Sequence, residues 1–196
     1  QHSQSLQALF AHIPGLKVVM PSTPYDAKGL MISAIKDDNP VIFIDDRWLY
    51  AVEDYVPEEI YSVPIGNGIV RRKGKDVTLA AVSFMANESI KAAEELEKEG
   101  IDVEVIDLRS VKPIDRNLLL KSVKKTGKLV VADVGWKSFG FSAEVSALAC
   151  ESGYLKLPVI RVALPDCPAP ASRTLEKEYY PDYKKIVAAV KKILIK

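Results

Sequence analysis

One local grammar recurs along this chain: a short run of apolar, mostly β-branched residues, then a helical stretch of about a dozen, then another apolar run. Leu16–Met20 is such a run, ended by Pro21, and Val41–Ile44 is another, with a helical pattern between them. Ser22 or Thr23 can cap that helix, Pro24 suits its first turn and Asp26 its positive end. Ala27, Leu30, Met31, Ala34 and Ile35 recur at helical spacing, so this face is expected to be buried, and Asn39-Pro40 stops the helix. Further on, strands are expected at Val77–Val82, Val103–Ile106, Leu129–Ala132 and Val159–Val162. Helices are expected from about Asn87 to Lys98, Asp115 to Lys125, Ser142 to Ser152 and Pro181 to Ile195. Buried strands alternating with helices predict an α/β fold, a three-layer α/β sandwich on parallel strands. Periodicity leaves the strand order open.

The 196 residues are 48% hydrophobic and 27% charged, enough to bury a sizeable core without staples. Twenty-seven basic against 26 acidic residues, with no block of one sign, exclude nucleic-acid or membrane-surface binding driven by net charge. No apolar run approaches membrane-spanning length and no secretory leader is visible. Cys150 and Cys167 fit no metal or CxxC spacing and read as free thiols in a reducing compartment, so a cytoplasmic location is expected.

Several short motifs follow one another in order. They are His2-Ser3-Gln4, Phe10-Ala11-His12, Pro14–Val19, Pro21–Leu30 and Ser33–Pro40, then Asp107-Leu108-Arg109 and Gly135-Trp136. With these motifs the chain resembles the beta subunit of the thiamine-diphosphate-dependent 2-oxoacid dehydrogenases, the pyruvate, branched-chain 2-oxoacid and acetoin dehydrogenase family. The resemblance covers essentially the whole chain but lacks the first part of such a subunit. It implies the C-terminal part of a pyrimidine-binding domain at residues 1–52, a linker at 53–75 and a transketolase C-terminal-like domain at 76–196. It further implies oxidative decarboxylation of a 2-oxoacid with acyl transfer to a lipoyl carrier. The partners would be an alpha subunit, a second beta subunit and the lipoyl acyltransferase component, in the cytoplasm or, in a eukaryote, the mitochondrial matrix.

That chemistry needs a Gly-Asp-Gly loop for Mg2+ and the diphosphate, and a carboxylate against the aminopyrimidine. No Gly-Asp-Gly occurs here; in the family it belongs to the alpha subunit, and the glutamate would precede Gln1. The isolated chain is therefore expected neither to bind thiamine diphosphate productively nor to turn over. Exposed Leu6, Leu9, Phe10, Ile13 and Leu16 would make it associate.

His2 is the catalytic candidate, since the resemblance places this histidine in the substrate channel, where an imidazole can move a proton or stabilise developing charge. The bland alternative is a frayed terminal residue. His12 is expected to be a structural histidine bonded under its loop. The family also holds a structural potassium ion, which would here take the carbonyls of Ala34 and Ile35 with Asp37 and Asn39; an ordinary helix end that binds nothing is the alternative. Arg47-Trp48, within Asp45–Tyr50, departs from the family wording and puts the substrate in question. Arg47 can read a carboxylate or pair with Asp45 or Asp46.

Beyond Tyr50 no complete catalytic set is visible. Arg109 is expected at a subunit interface, Gly140 belongs to no full GxGxxG, and Cys167 has no downstream histidine to activate it. Half of a split transketolase-like enzyme and a non-catalytic assembly module remain as alternatives.

Overall fold

The computed structural model describes residues 2–195. Among the described residues eight strands form two sheets, accompanied by seven α-helices. The larger sheet has the order β3-β5-β4-β7-β8, with β3 (Ile69–Arg72) antiparallel to β5 (Val103–Asp107). The strands β5, β4 (Val77–Ala81), β7 (Leu129–Trp136) and β8 (Ile160–Leu164) are all parallel. Helices α3 (Phe84–Glu97) and α7 (Tyr183–Leu194) cover one face, and α4 (Arg116–Thr126) with α5 (Phe141–Glu151) the other. This is the three-layer α/β sandwich that the alternating pattern predicts. The chain leaves β4 towards β5 by a helix on one face and reaches β7 by a helix on the other, so the winding reverses at β4. Ligands of open α/β sheets bind at such a reversal, outside the carboxyl ends of the strands.

The smaller sheet, β2-β1-β6, is built from β1 (Lys17–Val19), β2 (Val41–Phe43) and β6 (Ser110–Lys112). β1 and β2 are parallel, joined through α2 (Pro24–Lys36), while β6 runs antiparallel to β1. A strand from the second half of the chain thus completes the sheet of the first half. β3 lies inside the stretch 53–75 that the sequence marks as a linker, and it is an edge of the larger sheet.

Local chemistry explains the element ends. Thr23 Oγ1 accepts the Asp26 N–H at 3.1 Å to cap α2, Asp115 accepts the Leu118 N–H at 2.9 Å to cap α4, and Asp182 accepts the Lys185 N–H at 3.0 Å to cap α7. The α4 helix closes on Gly127 at φ 67°, a left-handed turn that favours glycine. The expected buried face of α2 is a correction: Asp26, Gly29 and Leu30 are buried, whereas Met31 and Ile35 are exposed, Ile35 by 76%. Val63 and Tyr61 pack so closely on Gly29 that a Cβ there would meet them at 2.5 and 2.8 Å, which rotates the buried stripe. Leu6, Leu9 and Ile13 are exposed as expected, while Phe10 packs on the core. Among the described residues no helix is long and apolar enough to cross a membrane.

Candidate functional site

A cleft of about 450 Å³ opens at the carboxyl ends of strands from both sheets. Met20 and Ile44 line it from beyond β1 and β2, Val134 from β7, and Phe84 from the first turn after β4. The segment 2–5 lies along one side and Asp45–Trp48 along the other, with Tyr180 between α6 (Arg173–Tyr179) and α7. The cleft therefore occupies the place that the reversal of winding at β4 selects.

His2 lines this cleft as an exposed residue at φ 59°. Two contacts fix the segment behind it. The Tyr180 hydroxyl donates to the Ser3 carbonyl at 2.6 Å, and the buried Gln7 side chain donates to Asp133 at 2.8 Å. His2 thus adjoins a segment tied to both the α6–α7 corner and β7.

The 3₁₀ turn Arg47–Leu49 forms the opposite wall. Asp46 caps it by accepting the Trp48 N–H at 3.0 Å, and the Tyr50 hydroxyl donates to Asp45 at 2.6 Å. Burial pushes the Asp46 carboxyl above its ordinary value, helped by the charge of Asp45 and opposed by the Trp48 N–H. The bond to Asp45 is also the main cause that raises the Tyr50 hydroxyl. Both carboxylates being so engaged, Arg47 makes no ion pair within 4 Å among the described residues, although it lines the cleft. The alternative that pairs it with Asp45 or Asp46 is corrected. The Trp48 ring lies 5.2 Å from that of Phe84 and 5.9 Å from that of Tyr180, an aromatic wall within the cleft.

Two buried polar clusters support the cleft. In the first, Asp133 accepts from Gln7, from the Gly135 N–H at 2.9 Å and from the Ser142 N–H at 3.0 Å, fixing the start of α5. In the second, Arg71 on β3 bonds Asp107 at 2.9 Å and also Asp26, while Arg109 meets Asp26 at 2.8 Å. Ser22 donates to Asp107 at 2.5 Å. Arg109 is therefore turned inward, with its side chain 10% exposed, which corrects the expectation that it faces a partner.

The comparisons with known proteins agree with this architecture. Residues 66–186, more than half of the chain, match the transketolase C-terminal domain, and residues 1–52 match the transketolase pyrimidine binding domain. The chain belongs to the transketolase C-terminal domain family. It is 45% identical to the acetoin:2,6-dichlorophenolindophenol oxidoreductase subunit beta of Cupriavidus necator, over 99% of this chain and 58% of that one. It is 44% identical to the pyruvate dehydrogenase E1 component subunit beta of Bacillus subtilis, over 98% of this chain and 60% of that one. A solved structure described as a split gene transketolase, inactive beta4 tetramer, superposes with a TM-score of 0.84 at 31% identity, covering 96% of this chain and 61% of its own. The chain thus spans about three-fifths of the length of the relatives it matches. The resemblance drawn from the sequence motifs holds.

The four residues that the resemblance implies for potassium lie at the end of α2 and just beyond it. The Ala34 carbonyl accepts the Asp37 N–H at 3.4 Å, and Asp37 accepts from the Asn39 N–H at 2.9 Å and its side-chain amide at 3.1 Å. The Lys17 ammonium bonds the other Asp37 oxygen at 2.5 Å, and that bond is the main cause holding the Asp37 carboxyl down at about 2. The Asp37 charge is therefore already matched, which leaves backbone carbonyls as the donors a potassium ion would use. Among the described residues no three His, Cys, Asp or Glu side chains gather as a metal cluster. The described residues do not fit a magnesium–diphosphate site.

His12 departs from expectation. It is an exposed residue of α1 (Gln7–His12) and lines a separate cleft of about 750 Å³ with Lys112, Phe139 and Leu148. The cleft residues that the sequence reading missed are Phe84, Val134 and Tyr180. They stand 36 to 132 positions from the nearer of His2 and Trp48 along the chain, and no local motif marks them.

Proposed function

We propose that this chain is the C-terminal portion of the beta subunit of a thiamine-diphosphate-dependent 2-oxoacid dehydrogenase, and that its cleft is one wall of the active site. The observation that carries the reading is the meeting of His2 and Arg47 in one cleft at the carboxyl ends of the strands. The names of the relatives support it: acetoin oxidoreductase and pyruvate dehydrogenase E1 beta subunits. The bound coenzyme would supply the electron sink for decarboxylation. Its diphosphate and Mg2+ are assigned to the alpha subunit, as the family resemblance implies. His2 moves a proton or stabilises charge near the reacting carbon, and Arg47 draws the substrate carboxylate into the cleft. The acyl group passes to the lipoyl acyltransferase component. The complete assembly also holds a second beta subunit, and a potassium ion on the carbonyls of Ala34 and Ile35 beside Asp37 and Asn39 steadies the end of α2. Residues 1–52 serve as pyrimidine-side scaffold, 53–75 as the connection and 76–196 as the C-terminal domain, in the cytoplasm or a mitochondrial matrix.

A second reading, half of a split transketolase, is supported by the description of the similar solved structure. One experiment separates the two. The complete alpha–beta enzyme, loaded with thiamine diphosphate and Mg2+, is given a 2-oxoacid with lipoamide and, separately, a ketose with an aldose acceptor. Acylated lipoamide is expected, and ketol transfer to the aldose instead overturns the reading. Replacing Arg47 with Gln is expected to lower kcat/KM about tenfold or more, as for a lost charge-assisted contact.

A further inference from the structure

The aromatic wall has a consequence for which substrates enter. We infer that Trp48 sets the upper size of the substrate's carbon chain and restricts the cleft to short 2-oxoacids, an inference that rests on the 2-oxoacid reading above. Trp48 is a large apolar side chain left 60% exposed, and it lines the cleft. Its backbone N–H donates to Asp46, and its ring is flanked on two sides, by Phe84 at 52° between ring planes and by Tyr180 at 56°. Neither neighbour is free to yield. Phe84 is the first residue of α3, and the Tyr180 hydroxyl is held by the Ser3 carbonyl.

The polar groups of the cleft divide from its apolar ones. His2 and Arg47 can meet a carboxylate and a reacting carbonyl. The substituent beyond the carbonyl must then lie against apolar surface, and the exposed indole with Phe84 supplies it. A substituent long or branched enough to reach the plane of the indole must displace a ring that its neighbours flank. Pocket discrimination of this kind is worth about 10- to 200-fold per methylene-sized change.

The test uses the complete alpha–beta enzyme loaded with thiamine diphosphate and Mg2+, and a series from pyruvate through 2-oxobutanoate to 4-methyl-2-oxopentanoate. The wild type is expected to favour the short members. Trp48→Ala is expected to raise the ratio of kcat/KM for 4-methyl-2-oxopentanoate over pyruvate by about tenfold or more. Trp48→Phe, which keeps an aromatic contact with Phe84 and Tyr180, is expected to shift that ratio less, and it reads the same ratio if the alanine variant fails to fold. Equal loss across the series, with the ratio unchanged, makes Trp48 a merely structural residue and overturns the inference. A wild type that already prefers the branched substrate overturns it too. A wild type that turns over no member of the series overturns the parent reading, and the inference falls with it.

Discussion

Asp133 shows how one residue ties the site to the fold. It is fully buried on β7, yet it accepts three hydrogen bonds, which join Gln7 of the first block to the start of α5. Burial pushes its carboxyl above the ordinary value of 3.8, because the three donors and the more distant charge of Arg161 do not fully offset desolvation. The sign follows. A raised folded-state value means that the folded protein keeps a proton that the unfolded chain has already released. Charged Asp133 therefore costs stability at neutral pH, and that cost fades as pH falls through the folded-state value towards 3.8. An asparagine at 133 cannot titrate, and its amide would set an N–H against that of Ser142. The melting temperature of the wild type, relative to Asp133→Asn, is expected to rise from about pH 7.5 to about pH 4.5. A difference that stays flat over that range contradicts the assignment. At this scale the sequence made His2 and Asp45–Tyr50 legible because they form continuous wording. Phe84 and Tyr180 were not legible, since an aromatic beside a helix start reads as ordinary core until the fold brings it to Trp48.

Among elements, α2 has the most to hold in place, because its first turn carries Asp26 into the buried charge cluster. Thr23 fixes that turn twice, accepting the Asp26 N–H at 3.1 Å and donating its hydroxyl to the Asp26 carboxylate at 2.8 Å. Thr23→Ala removes both contacts and is expected to lower stability by about 1 kcal/mol, measured by urea denaturation. Thr23→Ser, which keeps the hydroxyl, is expected to recover most of it; equal loss in both variants points to the methyl group instead. The helices and central strands of the larger sheet were legible because their apolar runs are long and bounded by clear stops. The elements missed, β3, β6, α1 and α6, span only three to seven residues. β3 ends in two arginines and β6 follows Arg109 at φ 56°, so neither carries a strand pattern of its own. The α2 face failed for another reason. Periodicity shows that a helix has an apolar face, but only packing shows which side Val63 and Tyr61 cover.

For the molecule as a whole, the central question is what makes two sheets behave as one body. β6 provides backbone pairing between the two halves of the chain, and the Arg71–Asp107–Asp26–Arg109 cluster provides the charge contact. The two arginines balance the two aspartates, and both aspartates are fully buried. Burial pushes Asp107 upward, against the opposing charge and hydrogen bonds of Arg71. For Arg71 itself burial works against the charged form, but Asp107 and Asp26 outweigh it and hold the guanidinium charged. Such a cluster adds little net stability over an apolar contact, yet losing one partner is severe because the other charges remain buried. Arg71→Met leaves Asp26 facing Arg109 alone and Asp107 without its arginine, and is expected to cost about 3 kcal/mol. The distribution of that loss tests the coupling. If the cluster holds the first block to the second, hydrogen exchange in the variant should accelerate across α2 and β1, while β4 and β7 stay protected. Acceleration spread evenly over both sheets would mean that Arg71 supports the larger sheet as a whole. The cleft draws its walls from both blocks, so loosening of the first alone would also carry Asp45–Trp48 away from Phe84 and Val134.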